Sequence, residues 1–401
     1  MSATLGRSAI PHPAAFWVVF AAFISEMAFS TIPTPLYALY EQRDGFPTIT
    51  VTVIFAVYAV GVLASLLFVG HLSDRFGRRP LILLSLVVSL VSAILFLVWN
   101  DVPGLIAARF VNGVAIGALT ATATAHLSEL GAAAHRSPGR SAIVATLANL
   151  GGLGLGPIIA GVLAAYAPAP LVVPYAAFAV AFLVLLVLVA LVPETVEPRA
   201  AGTVEHSRYR PQRIAVPRSA RGTFWAAGAV AFAGFAVFGM FTALAPTFLA
   251  GTLHETSRVL AGLAPFVVFA AAALAQIFTG SLAMPVQVRL AIALSVGGLA
   301  GVGIGAGLGA LWLFLLGGLV AGAGVGIGFR AAMGTAAAVA EPGRRGEALA
   351  GMFLIAYVGL TLPVVLIGAA LLLWPQAAVL IAFAAVVAIV VVMAGLRMLR
   401  R

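Results

Sequence analysis

The sequence predicts an all-α membrane protein of twelve transmembrane helices in two pseudo-symmetric six-helix bundles. Three observations lead there: extreme apolarity, a dozen apolar runs of spanning length, and an internal repeat. Hydrophobic residues make up 63% of the chain and charged ones only 8%, too little polar material to cover a globule in water. A spanning helix needs roughly 20 apolar residues, so a chain of 401 residues has room for twelve with short connections and for no sizeable soluble domain.

Apolar runs place spans near 14–40, 49–69, 80–99, 103–130, 141–166 and 171–192, and again near 222–250, 257–283, 287–306, 309–337, 347–373 and 376–396. These are helices 1 to 12. The first run follows Arg7, as a secretory leader would, but it continues past Ser30 to Tyr40 and reads as a span. The formal charge of +10 and pI near 11.1 raise the question of nucleic acid, which the placement of the charges answers. All 22 basic residues are arginine, and with both termini cytoplasmic eighteen fall on cytoplasmic segments, Arg43 and Arg258 lie outside, and Arg109 and Arg330 fall within spans. That is the asymmetry that orients a multi-pass protein, here in a bacterial inner membrane, so no nucleic-acid partner is expected.

The residues divide into an N-terminal bundle over 1–192, a cytoplasmic linker over 193–222 with four prolines and six arginines, and a C-terminal bundle over 223–401. Laying the second half on the first at an offset of about 211 aligns Pro35 with Pro246, Ile116 and Gly117 with Ile327 and Gly328, and Arg79 with Arg289 to within a residue. Glu129 falls beside Glu341 in the same register. Parallel six-helix repeats place a substrate site at their interface near the membrane midplane. Cysteine is absent, which excludes disulfides, thiolate catalysis and sulfur-ligated metals. There is no GxxxxGK[ST] or HExxH pattern, so ATP-driven transport and zinc hydrolysis find no support, and no cofactor is expected.

The most specific local pattern runs from Gly70 to Pro80, GHLSDRFGRRP, where helix 2 gives way to helix 3. Gly77 permits a tight reversal and Pro80 suits the first turn of a helix. This stretch resembles the signature loop of the major facilitator superfamily, GxLxDRxGRR, and the resemblance covers essentially the whole chain. Helix 4 carries Arg109, Gly113 and Gly117 in RxxxGxxxG spacing, and helix 5 carries Gly152, Gly156, Pro157 and Gly161, similar to the GxxxGPxxGG signature of the twelve-helix drug:proton antiporters. Ala160 and Ile143 depart from that signature. Helix 1 ends in IPTPLY, similar to the family's proline-rich motif. The resemblance implies a gating role for Gly70, Asp74, Arg75, Gly77, Arg78, Arg79, Gly152, Gly156, Pro157 and Gly161, with Glu129 partnering the signature loop and Asp74 facing the N-terminus of helix 11. His126, three residues before Glu129, reads as a member of the same cluster.

Ionisable groups inside spans cost ~2.5 to 3.5 kcal/mol on insertion scales and are functional hypotheses by default. Glu26 lies near the middle of helix 1, expected to line a central cavity, where a carboxyl can load and release a proton across a cycle. The resemblance implies that Arg109, with Asn112 a turn further on, tunes that site. Arg330 in helix 10 either binds an anionic substrate or snorkels toward the cytoplasm. Tyr58, Phe238, Met240, Phe241 and Tyr357, with Asn149 and Gln276 as isolated amides, form the expected wall for lipophilic or amphipathic cargo. The partners are then a small-molecule substrate, protons and lipid, with the chain acting as a monomer. Proton-coupled efflux is the leading expectation, and a symporter or facilitator for uptake of a small metabolite is the alternative. A membrane sensor or polytopic enzyme would need an effector domain or a catalytic cluster, and neither is visible.

The orientation has a direct test in this cysteine-free chain. Ser207→Cys is expected to be labelled by an impermeant thiol reagent in inside-out vesicles and to resist it in intact cells; labelling from outside overturns the topology.

Overall fold

The computed structural model describes residues 10–68, 76–196, 216–341 and 344–400. Twelve helices among them are long and apolar enough to cross a bilayer. Helices 1 to 6 are His12–Asp44, Thr48–Leu66, Arg78–Val98, Val102–Ala133, Pro138–Tyr166 and Val173–Ala190. Helices 7 to 12 are Arg218–Ala243, Arg258–Phe278, Met284–Leu308, Leu311–Val339, Arg345–Ala370 and Gln376–Leu399. The chain is therefore a multi-pass membrane protein. All five tryptophans, Trp17, Trp99, Trp225, Trp312 and Trp374, are exposed and lie near helix ends, as an interfacial aromatic belt requires.

Two spans expected to be continuous are broken. Helix 1 is an α-helix over His12–Thr31, a 3-10 turn over Thr34–Leu36 and a second α-helix over Tyr37–Asp44. Pro33 and Pro35 supply no N–H and disfavour the α conformation before them, which explains the interruption. The second piece stops where Gly45 adopts φ 69° and donates its N–H to the Glu41 carbonyl. Helix 7 ends at Ala243, and a short helix over Ala245–Gly251 follows with Pro246 in its first turn. The two breaks fall in the register of the 211-residue repeat. Helix 5 begins at Pro138, three residues ahead of the expected start, because Ser137 caps it by accepting the Arg140 N–H. It then loosens into a π-turn over Leu147–Gly151 immediately before Gly152.

The described residues form two compact units whose borders cut across helices. The first holds helix 1 to Ser30, helix 2 from Val60, helices 3 and 4, helix 5 to Leu153, and helix 6. Its core includes a ring cluster in which Phe29 lies 5.1 Å from Phe182 and 6.3 Å from Phe96, while Phe96 stacks on Tyr175 at 4.5 Å. The second holds helix 1 from Thr31, helix 2 to Ala59, helix 5 from Gly154, and helices 7 to 12. The segment expected as a linker lies mostly outside the described residues.

Packing in the second unit depends on backbone approach. A Cβ on Gly317 of helix 10 would sit 2.5 Å from the Val302 nitrogen of helix 9, and one on Gly322 would sit 2.3 Å from the Val268 carbonyl oxygen of helix 8. In hydrocarbon, where apolar burial drives little association, such close small-residue contacts supply the dispersion energy that holds helices together.

Gly317→Leu is accordingly expected to destabilise the protein by about 1 to 3 kcal/mol or more, read as a lower melting temperature in detergent. Gly297→Ala is the control, because a Cβ there meets nothing within 4 Å and should leave the melt unchanged.

Candidate functional site

The first unit concentrates polar groups where hydrocarbon-solvated helices ordinarily exclude them. Glu26 is wholly buried. Its Oε2 accepts hydrogen bonds from Ser85 Oγ at 2.6 Å and Ser89 Oγ at 3.0 Å, both on helix 3, while Oε1 has no partner among the described residues. The carboxyl thus turns into the packing between helices 1 and 3. Serines four apart lie on one helical face, which is why both reach the same oxygen. Ser85 Oγ also lies 2.9 Å from the Ala115 carbonyl of helix 4. Arg109 is buried and donates from Nη1 to the Ser30 carbonyl at 2.6 Å, one turn beyond Glu26 along helix 1. Asn112 is also buried, and neither its amide nitrogen nor its oxygen has a partner among the described residues. Glu26, Arg109 and Asn112 therefore share the interior of one unit. Ser85 and Ser89 are additions; the signal for them was their i, i+4 spacing in an otherwise aliphatic helix.

A second polar cluster joins helices 3, 4 and 6. Helix 3 starts after Gly77 with no side-chain cap of its own. Glu194, just past helix 6, fills that place: Oε1 accepts the Arg78 N–H and Oε2 the Arg79 N–H, each at 2.9 Å. A carboxylate there satisfies two orphan donors and meets the positive end of the helix dipole. Gly77 has φ 100°, a conformation L side chains avoid, and a Cβ there would sit 2.6 Å from Glu194 Oε2. Arg78 pairs with Glu129 at 3.3 Å, and Thr195 donates to the other Glu129 oxygen. His126 Nε2 lies 3.2 Å from the Pro193 carbonyl, which places the imidazole in this cluster. Gly70, Asp74 and Arg75 lie outside the described residues. Glu194 escaped the sequence reading because it falls in the segment assigned to the linker; an acidic residue directly after a helix end and opposite a basic loop was the available signal.

The helix-5 pattern divides between the units. A Cβ on Gly152 would sit 2.5 Å from Met27 Cβ, so this glycine packs on helix 1 in the first unit. Gly156 and Pro157 are buried in the second unit. There a Cβ on Gly161 would lie 2.5 Å from the Arg258 carbonyl, and one on Gly262 would lie 2.2 Å from the Pro157 carbonyl. Arg258 Nη1 donates to the Ala164 carbonyl at 2.6 Å, in the last turn of helix 5, closing the same helix 5 to helix 8 contact.

The expected substrate wall is partly a core. Phe238 stacks on Phe269 at 4.6 Å and joins Phe235, whose ring lies 5.0 Å from Phe329 and 5.8 Å from Tyr357. Tyr58 lies near enough to Tyr357 to interact electrostatically. These residues of helices 2, 7, 8, 10 and 11 form one aromatic group within the second unit. Met240 and Phe241 do not belong to it, because both are fully buried and Phe241 packs on Phe314 at 5.4 Å and over Gly318. Two helical steps turn Met240 to the face away from Phe238, while Phe241, three residues on, is kept from the group by its packing on Phe314 and over Gly318. Asn149 is half-buried in the π-turn of helix 5. Arg330 is exposed and donates to the carbonyls of Gln276 at 3.3 Å and Gly280 at 3.2 Å, at the end of helix 8. That contact favours a helix C-terminus and holds the side chain without a carboxylate.

A family model described as Major Facilitator Superfamily matches residues 18–311. Two curated relatives, each named an uncharacterized transporter, are 35% identical in Rickettsia felis and 32% identical in Rickettsia bellii over 121 residues. The match covers 29% of this chain and 29% of each relative. The crystal structure of the nucleoside transporter NupG superposes with a TM-score of 0.76 over 96% of this chain and 100% of that one, at 10% identity, a likeness of fold alone.

The Glu194 clamp makes a measurable claim. Glu194→Ala is expected to lower stability by about 1 kcal/mol, as loss of an N-cap does, and Glu194→Gln, which keeps one acceptor, by less. Equal melting temperatures for the alanine variant and the parent protein contradict the clamp.

Proposed function

Because the chain belongs to the major facilitator superfamily, we propose that it exports lipophilic or amphipathic small molecules across a bacterial inner membrane in exchange for protons, with Glu26 as the carboxyl that carries the proton. The chain is a transporter and not an enzyme, and the burial of Glu26 is the observation that carries the finer reading. Among the described residues it is the one acidic side chain in the middle of a span. Keeping an ionised carboxylate there with hydroxyl donors on one oxygen alone is costly. Such a group is retained where protonation and deprotonation are part of the cycle.

Antiport needs a group protonated when the site faces outward and deprotonated when it faces the cytoplasm, with cargo and proton competing for one state. Arg109, fixed on the Ser30 carbonyl one turn away, supplies a constant positive charge beside Glu26. The aromatic group around Phe235, Phe238, Phe329 and Tyr357 suits cargo with an apolar body. Pro157, Gly161 and Gly262 place helices 5 and 8 in backbone contact, which supports a role for the helix-5 pattern in closing one end of the pathway. With both termini cytoplasmic, the cluster of Arg78, Glu129 and Glu194 stands at the inner ends of helices 3, 4 and 6 and serves as the inner gate.

Purified protein in liposomes with a trapped pH dye, screened against cationic, neutral and anionic amphiphiles, tests the reading. Glu26→Gln mimics the protonated carboxyl and is expected to abolish gradient-driven accumulation while leaving downhill exchange. Substrate-induced proton release that survives Glu26→Gln unchanged places the proton elsewhere.

A further inference from the structure

Ser85 Oγ stands between two acceptors, Glu26 Oε2 on helix 1 at 2.6 Å and the Ala115 carbonyl on helix 4 at 2.9 Å. A hydroxyl has one hydrogen, so it cannot donate to both at once. An ionised Glu26 offers only acceptors and takes the Ser85 hydrogen, leaving the Ala115 carbonyl with its own helical bond. A protonated Glu26 brings a hydrogen of its own and can donate to Ser85 Oγ, whose hydrogen then turns to Ala115. The Glu26–Ser85 bond reverses its direction, and the Ser85–Ala115 bond is made only when Glu26 is protonated.

We infer that Ser85 is a positioning residue that relays the protonation state of Glu26 from helix 1 through helix 3 to the backbone of helix 4. The inference rests on Glu26 being the proton carrier. Among the described residues the Ser89 hydroxyl meets Glu26 alone, at 3.0 Å, so it supports the carboxyl without passing anything on. The receiving segment is where such a signal has consequence. Ala115 lies three residues after Asn112, whose buried amide has no partner among the described residues, and six after Arg109, which ties helix 4 back to helix 1 at Ser30. Rotation of one hydroxyl therefore acts on the stretch of helix 4 that already holds an unsatisfied amide and a buried cation.

Few other groups can account for a pH response there. Helix 1 has no further ionisable side chain between His12 and Tyr37, and helix 3 has none after Arg79. Helix 4 contributes Arg109 and, eleven and fourteen residues past Ala115 or roughly 16 and 21 Å along the axis, His126 and Glu129, and helix 2, which meets helix 4 at Gly61 and Gly117, has only Tyr58. Helix 5, which meets helix 1 at Gly152, has none between Arg140 and Tyr166, and helix 6 has only Tyr175, stacked on Phe96.

The relay is tested on the full-length protein in lipid nanodiscs, without cargo, by two readouts across a pH series. Infrared difference spectra follow the protonated carboxyl band, assigned by its loss in Glu26→Gln, and hydrogen exchange follows the helix-4 peptide around Ala115. In the parent protein the exchange rate is expected to change with the same midpoint as the carboxyl band. In Ser85→Ala the band still titrates but helix-4 exchange loses its pH dependence, Ser85→Thr restores it, and Ser89→Ala keeps it. Ser85→Cys, with a weak donor of similar size, serves if the alanine variant does not fold. Helix-4 exchange that follows pH in Ser85→Ala as in the parent overturns the relay while leaving Glu26 as carrier. A parent protein with no titrating band assigned to Glu26 overturns the carrier reading and the relay with it.

Discussion

Hydrocarbon offers no hydrogen bonds, so every backbone group in this chain must be satisfied by the protein, and each departure from regular helix needs a local answer. The breaks in helices 1 and 7 are answered by prolines that lack the N–H to be satisfied, and the end of helix 1 by a left-handed glycine. The uncapped start of helix 3 is answered from a distance by Glu194, over a hundred residues later in the chain. Gly77 makes that answer possible, since any larger residue would occupy the place of the carboxylate. The same constraint makes the unpartnered amide of Asn112 and the unpartnered oxygen of Glu26 conspicuous.

The two halves share a repeat but not a chemistry. At the 211-residue offset Glu26, Ser85, Ser89 and Arg109 correspond to Val237, Val296, Ala300 and Val320. The positions that hold the buried carboxyl, its serines and the guanidinium in one half thus carry aliphatic side chains in the other. Glu129 and Glu341, close in register, also find different partners: the first pairs with Arg78 across helices, the second with Arg344 three residues away. The repeat preserves where helices break and meet, because those are properties of backbone geometry. It does not preserve ionisable groups, each of which costs stability unless a function retains it.

This separation explains what was legible in the sequence. Helix number and approximate bounds followed from apolar runs, because lipid demands a fixed length of continuous apolar chain. Glu26, Arg109 and Asn112 were legible as polar exceptions, and the pairing of Arg78 with Glu129 followed from the resemblance of the loop. Ser85 and Ser89 were not singled out, since serine is tolerated throughout membrane helices by bonding to its own backbone, as Thr120 and Thr122 do in helix 4. Met240 and Phe241 were misplaced for a related reason: in a span that is apolar all round, periodicity does not distinguish a core face from a cavity face. Glu194 was missed because its partner is a backbone terminus, which no residue type marks, so only its place just after a helix end and opposite a basic loop could have pointed to it.

The borders of the two units follow the same physics. Helix 1 passes from one unit to the other between Ser30 and Thr31, where its first α-helix ends ahead of Pro33. Helix 5 passes between Leu153 and Gly154, two residues after its π-turn and three before Pro157. In both, the hydrogen-bond ladder is already weakened at the crossing, by a missing donor or a widened turn. Helix 2 crosses between Ala59 and Val60, next to Gly61, where a Cβ would lie 2.3 Å from the Phe110 carbonyl of helix 4. Helices 1 and 5 carry their irregularities at the crossing, and each half of the helix packs within its own unit. Glu26 and Ser30 stand within one turn of the crossing in helix 1, on the side that holds Ser85, Ser89 and Arg109. The proposed proton site is thereby built into one body and ends where that body ends.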